Sequence, residues 1–433
     1  MSSNKRTAAH LDQSVPNKAA KSAKLFPIFT KQPAAQEVEK TAFCWITPAI
    51  GPNKSCLHGV HLEPKATNRI AAFDLDGCLV ESSFVKGRNV KCDKDKAPSF
   101  TWWRPGVPKK LKQIYGEGYS IIIVTNQNLR GKNATSNWKK KIPAIAASIP
   151  NVPFHIYAAI EKDGYRKPMP GMWYEIQRLF EEQGVSIDLD RSFFVGDAAG
   201  RKGDHSSSDR KWALNVGIPF STPEEYFLGL KSAEYTLPGF DVTSLAQNVP
   251  PIMPTSTPLI PEPPTTEVVL FVGYPAMGKS TFYTRNFQSA GYVHVNQDAL
   301  RTKEKCVKAV EEALEDGKSC VVDNTNRDKA TRKLYIQLAR KFNVPVRCIH
   351  FNGSIDLAWH NNLYRAFNLP DDVASKTPKR ELLGYMAFTS FRNAYQAPTL
   401  DEGLSEIKQV NFIFEGSEEE RRRWSMWLQI EGK

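Results

Sequence analysis

The chain has 433 residues, 41% hydrophobic and 24% charged, with a formal net charge of +12. That length exceeds one ordinary domain and the apolar content suffices for packed cores; no uninterrupted run of 18 apolar residues exists, so no membrane span is expected. The positive balance favours a polyanionic partner over a small neutral substrate, and seven cysteines without C-x-x-C spacing argue against a zinc site or a disulfide framework.

Residues 1–41 read as a disordered basic tail, low in aromatics and rich in Ala, Ser and Lys. Lys5-Arg6 followed by Lys18, Lys21 and Lys24 has the spacing of a loose bipartite nuclear signal, with a mitochondrial presequence as the rival address. The expected localisation is the nucleus, with the mitochondrion as a second possibility.

Residues 42–235 alternate strand and helix. Strands are expected at Arg69–Phe73, Tyr119–Thr125, Phe154–Ala158 and Ser192–Val195. Helices are expected at Pro108–Glu117, Lys139–Ser148 and Met172–Gln183. The alternation implies a parallel sheet with helices on both faces and a site beyond the carboxyl ends of the strands. Ile70–Phe73 runs into Asp74-Leu75-Asp76-Gly77. Two carboxylates at i and i+2 repel each other unless a cation sits between them. They suit phosphoryl transfer: Asp74 attacks phosphorus, Asp76 serves as acid and then base, and Mg²⁺ neutralises charge. Taken alone, D-x-D is also compatible with a simple turn.

Residues 236–266 read as a semi-rigid extended linker, with seven prolines between Pro250 and Thr266. Residues 267–433 resume the alternation. Strands are expected at Glu267–Val272, Tyr292–Asn296, Ser319–Asp323 and Val346–Phe351. Helices are expected at Lys279–Gln288, Lys305–Glu315, Lys329–Phe342 and Ile355–Phe367. Phe271–Thr281, FVGYPAMGKST, is a P-loop. Gly273, Gly278, Lys279, Ser280 and Thr281 are the candidate ATP-binding residues: the glycines shape the turn, Lys279 reaches the phosphates, and Ser280 also holds Mg²⁺. Asp298 ends the next strand as a candidate base for an acceptor hydroxyl, and Arg301 is a candidate acceptor clamp. Asp323 stands where a Walker B acid would. Arg365 is a candidate lid arginine, or a plain surface arginine of an amphipathic helix.

The first site resembles the haloacid-dehalogenase phosphatase superfamily. The resemblance implies that Thr125 binds a phosphate oxygen, that Lys167 pairs with Asp74, and that Asp197 joins Asp74 and Asp76 at the metal. Asp204 and Asp209 are weaker metal candidates, Asp209 reading more as a helix cap or structural pair. Cys78 stands where that superfamily usually has Thr. Taken together, AAFDLDG, VTNQ, YRKP, FFVGDAAGR, GYPAMGKST, VNQDALR, VVDNTN and HNNLYR resemble the eukaryotic polynucleotide kinase 3′-phosphatase family, in a form without the amino-terminal phosphopeptide-binding domain. The implied fold class is α/β, two doubly wound parallel-sheet domains, a haloacid-dehalogenase-like Rossmannoid fold followed by a P-loop kinase fold. The implied substrates are DNA strand-break ends, a 3′-phosphate for the first domain and a 5′-hydroxyl for the second. Arg130, Lys132, Arg166 and Arg301 are the candidate nucleic-acid contacts. A repair ligase or scaffold protein is the implied partner, and a monomer is expected.

Overall fold

The computed structural model describes residues 42–82, 100–129, 131–246, 248–377 and 381–430. The basic tail and Arg130 therefore lie outside the described residues. The described residues form one compact unit built on two sheets.

The first sheet contains β1 (Phe43–Ile50), β2 (Cys56–His61), β3 (Ile70–Phe73), β4 (Ser120–Asn126), β5 (Phe154–Ala159), β6 (Phe193–Val195) and β7 (Phe220–Ser221), in the order β1-β2-β5-β4-β3-β6-β7. The five strands β5-β4-β3-β6-β7 are parallel, and the hairpin β1-β2 is added antiparallel at the β5 edge. Parallel strands are covered on both faces and so read as unbroken apolar runs, as Ile70–Phe73 and Ile121–Val124 do. Alternate residues feed two cores. Ala71, Phe73, Ile121 and Ile123 enter one; Ile70, Ala72, Ile122 and Val124 enter the other. The hairpin was not expected: β1 opens with apolar Phe43–Ile46, but Pro48 interrupts it and most of the strand faces solvent, unlike the doubly covered parallel strands.

The second sheet contains β8 (Ile252–Met253), β9 (Val268–Val272), β10 (Val293–Val295), β11 (Cys320–Val322), β12 (Val346–Asn352) and β13 (Glu406–Asn411), in the order β10-β11-β9-β12-β13-β8. All neighbours are parallel except β8, which runs antiparallel to β13. The central strand β9 is fully buried and ends at the P-loop. Helices Lys279–Asn286, Lys303–Glu315, Lys329–Lys341 and Ile355–Phe367 cover the sheet.

The proline-rich segment is more than an extended spacer. It supplies β8 as an edge strand, and its carbonyls are used as acceptors. Lys408 Nζ donates to Pro254 O (3.1 Å) and Thr257 O (2.8 Å), and Arg347 Nη2 donates to Leu259 O (2.9 Å). Proline has no N–H to satisfy but keeps its carbonyl, so such a segment binds through buried cations rather than a ladder. Among the described residues, no helix is long and apolar enough to cross a membrane.

Candidate active sites

The first site forms where β3, β4 and β6 end, on both sides of the central strand β3. Asp74 follows β3 directly, and its N–H donates to Val195 O (2.8 Å). Lys167 is buried beneath it. Its ammonium lies 2.6 Å from Asp74 Oδ1 and 2.7 Å from Asp209 Oδ1, and it donates to Val124 O (2.7 Å). Asn126 holds the lysine backbone in place, accepting from Lys167 N (2.9 Å) and donating to Lys167 O (3.0 Å).

Asp74, Asp197 and Asp209 each turn an oxygen into one space, all within 4.8 Å of one another. Two glycines make room for this crowding. A Cβ on Gly77 would sit 2.1 Å from Asp197 Oδ2, and one on Gly196 would sit 2.4 Å from Asp209 Oδ2. Gly77 also has φ +91°, a turn that disfavours side chains. Burial raises the Asp74 carboxyl well above its ordinary value; Lys167 opposes this, while Asp209 and Asp197 add to it. Burial and the neighbouring Asp209 push Asp197 up to about 7. Three crowded carboxylate oxygens fit a hard divalent cation, which needs such ligands and would relieve their repulsion.

The sequence places Asp76 among the candidate metal ligands. The structure aims its carboxylate elsewhere and closes the acidic cluster with Asp209. Asp76 Oδ2 accepts from Gln127 Nε2 (2.7 Å), and Oδ1 pairs with Lys141 Nζ (3.1 Å). Asp74 and Asp76 lie beyond the end of β3, in a turn where the strand's two-residue alternation no longer sets side-chain direction, so two carboxylates at i and i+2 need not share a cation. Asp209 is also a structural pair: it lies in the first turn of helix Ser208–Val216, pairs with Lys167, and accepts from Ala198 N (3.0 Å). Asp204 stays outside the cluster, accepting from Ala199 N (3.1 Å) and pairing with Arg201 (3.0 Å).

Thr125 is buried and accepts from Gln127 Nε2 (2.9 Å), which leaves its own O–H able to donate to a phosphate oxygen. Gln127 and Lys141 were not singled out from the sequence. Gln127 stands in the quoted VTNQ stretch, but Lys141 sits within a run of helix lysines that gives no local signal. Arg166 donates to Gln127 O (2.9 Å), tying the two loops together. Lys132 opens helix Lys132–Ser148 and lines an open cleft of about 670 Å³ with Trp45, Lys139 and Lys140. Trp102 and Trp103 are partly buried and pack against the core. Cys78 is fully buried and donates to Val195 O (3.3 Å), a bond that threonine could equally make.

The second site forms at the end of β9. Gly278 has φ +82° and begins helix Lys279–Asn286. Gly273 passes so near β12 that a Cβ would lie 2.8 Å from Phe351 Cβ. Lys279 is buried and folds back over the loop, donating to Tyr274 O (2.6 Å) and Gly273 O (3.2 Å). Burial lowers its ammonium to about 8; Arg365 adds to that, while Asp323 and Asp298 oppose it.

Ser280 Oγ donates to Asp323 Oδ2 (2.6 Å), the Walker A–Walker B contact that would share a cation. His294 Nε2 (2.9 Å) and Asn296 Nδ2 (3.0 Å) meet the same oxygen. Burial works against the ionised Asp323, but the bonds from His294 and Ser280 and the charge of Lys279 hold it below its ordinary value. Asp298 is exposed on the short helix Gln297–Leu300, whose N-terminus is capped by Asn296 Oδ1 (2.8 Å to Asp298 N). Arg301 ends that helix at φ +74°, an uncommon conformation for a side-chain-bearing residue. Arg365 is half-buried on helix Ile355–Phe367. That helix reaches the P-loop through Asn361 Nδ2, which donates to Ala276 O (3.2 Å). Thr281 is exposed in the first turn after the loop.

Residues 69–227 match the family described as polynucleotide kinase 3 phosphatase, and residues 268–305 and 303–390 match an AAA domain family. The polynucleotide 3′-phosphatase ZDP of Arabidopsis thaliana is 37% identical over 183 residues, 37% of this chain and 24% of that protein. The bifunctional polynucleotide phosphatase/kinase of Schizosaccharomyces pombe is 39% identical over 369 residues, covering 84% of each chain. With the acid–lysine cluster in one half, the P-loop in the other and that coverage across both, the chain belongs to the bifunctional polynucleotide phosphatase/kinase family.

Proposed function

We propose that the chain heals DNA strand breaks, removing 3′-phosphates at Asp74 and placing the γ-phosphate of ATP on 5′-hydroxyls at the P-loop. The observation that carries this is the buried Lys167 bridging Asp74 and Asp209, in the same compact unit as a complete P-loop.

In the first reaction Asp74 attacks phosphorus, forming an aspartyl-phosphate as the bond to the 3′-oxygen breaks. Asp76, held by Gln127 and Lys141, gives its proton to the leaving oxygen. It then takes a proton from the water that hydrolyses the intermediate. Lys167 and Thr125 hold the phosphate oxygens. Asp74, Asp197 and Asp209 would hold Mg²⁺, which neutralises charge on nucleophile and phosphate.

In the second reaction Lys279 leaves its carbonyl partners for the phosphates of ATP, and Asp298 accepts the proton of the 5′-hydroxyl. Arg365 offsets charge on the transferring group, and Arg301 clamps the acceptor strand. Ser280 and Asp323 would hold a second Mg²⁺. Lys132, Lys139, Lys140 and Trp45 line a basic cleft suited to a strand approaching the first site.

The test is a pair of assays on one set of variants. Asp74→Ala should abolish release of phosphate from a 3′-phosphorylated oligonucleotide and spare the kinase. Lys279→Ala or Asp298→Ala should do the reverse. A 3′-mononucleotide hydrolysed as well as the oligonucleotide would point instead to a small-metabolite enzyme. We further place the protein in the nucleus, with the mitochondrion as the alternative, and as a monomer that hands its product ends to a repair ligase or scaffold. A fluorescent fusion with Lys5, Arg6, Lys18, Lys21 and Lys24 replaced by Ala tests the first, and light scattering tests the second.

A further inference from the structure

Three consecutive residues, Lys167-Pro168-Met169, face three different environments. Lys167 carries the ammonium between Asp74 and Asp209. The carbonyl of Pro168 accepts from Asn215 Nδ2 at 2.8 Å. Met169 is fully buried in the apolar cluster of the other half, which includes Phe271, Trp424, Met426 and Leu428.

Asn215 makes two more bonds, both to the backbone of Trp427. Its Nδ2 donates to Trp427 O (2.8 Å), and its Oδ1 accepts from Trp427 N (2.7 Å). The buried amide thus binds one residue of the carboxy-terminal segment as a paired strand would, and spends its remaining donor on Pro168. That segment is built for two neighbours. Trp424, Met426, Leu428 and Ile430 are buried in the kinase-half cluster. The alternate residues turn to the other side: Lys211 Nζ lies 5.2 Å over the Trp427 ring, and Gln429 lies where a Cβ on Gly239 would meet it at 2.6 Å.

We infer that the carboxy-terminal segment Met426–Ile430 is a positioning element of the phosphatase site, acting on Lys167 through Asn215 and Met169. Proline fixes its own φ, so the bond to Pro168 O and the apolar anchor at Met169 also set the direction in which Lys167 enters the site. Asn126 fixes the lysine backbone from one side; the other half of the molecule fixes it from the other. This inference rests on the reading of Lys167 as the lysine of the phosphatase site.

The test uses the full chain as wild type, Asn215→Ala, Met169→Ala and Met169→Leu. For each, kcat and KM are measured on a 3′-phosphorylated oligonucleotide, and the 5′-kinase rate is measured on the same preparation as a control for folding. Asn215→Ala and Met169→Ala should each lower phosphatase kcat roughly tenfold with little change in KM, since a lysine misplaced by a fraction of an ångström costs the chemical step rather than binding. The kinase rate should hold, and Met169→Leu, which conserves volume, should restore kcat. Unchanged phosphatase kcat in both alanine variants overturns the inference. So does a parallel loss of both activities, because the contacts would then serve only the stability of the fold. A wild-type chain without phosphatase activity would instead overturn the reading of the Asp74 site itself.

Discussion

Gly77, Cys78 and Asp197 show how tightly single residues are constrained at the first site. A methyl group on Gly77 has no place to go except into the Asp197 carboxylate. Gly77→Ala should therefore lower phosphatase kcat by about 10²-fold while leaving the kinase unchanged, measured by the paired assays. Cys78 is inert for the opposite reason: burial, then Asp74, Asp197 and Asp209, push its thiol well above the ordinary range. Brief N-ethylmaleimide treatment at neutral pH followed by peptide mapping should label exposed Cys44 and leave Cys78 unmodified. Asp197 gives a pH signature. Without a cation its folded value is about 7 against an ordinary 3.8, so the folded state holds a proton that the unfolded state has lost. Stability in EDTA should then fall as pH rises from about 4 to about 7, and Mg²⁺ should stabilise most at the upper end. Melting temperatures with and without Mg²⁺ across that window check the sign.

At the scale of elements, helix Lys329–Lys341 of the second half is anchored by a buried arginine. Arg332 is fully buried, pairs with Glu402 through Nε (2.8 Å) and Nη2 (2.7 Å), and donates to Asn326 O (3.0 Å) and Gln396 O (2.9 Å). Removing one partner leaves a buried carboxylate and two unmet carbonyls. Arg332→Ala should cost about 3–5 kcal/mol by denaturant unfolding. The strands were legible in sequence where they are central, because burial on both faces demands continuous apolar residues, as in Val268–Val272. The edge elements were not. β1 is interrupted by Pro48 and mostly exposed, β8 is two residues among prolines, and β13 is largely polar and buries Lys408.

For the whole molecule, the net charge of +12 and the lysine-lined cleft lead to a salt test. Raising ionic strength should increase KM for a 3′-phosphorylated oligonucleotide far more than for a 3′-mononucleotide, since only the former releases counterions along a strand. Replacing Lys139 and Lys140 by Glu should weaken oligonucleotide binding and flatten that dependence, read from KM against salt concentration.

The chemistry of each half was legible because it is written in local stretches. D-x-D-G after an apolar strand and G-x-x-x-x-G-K-S before a helix need only a few adjacent residues to place a nucleophile or cradle a phosphate. Which distant side chains meet was decided by the tertiary structure. Asp209 completes the acid cluster, Lys141 reaches Asp76, and Asn215 joins Pro168 to Trp427 across 212 residues from its own position. Such contacts depend on how sheets and helices stack, and residue spacing along the chain carries no record of that stacking.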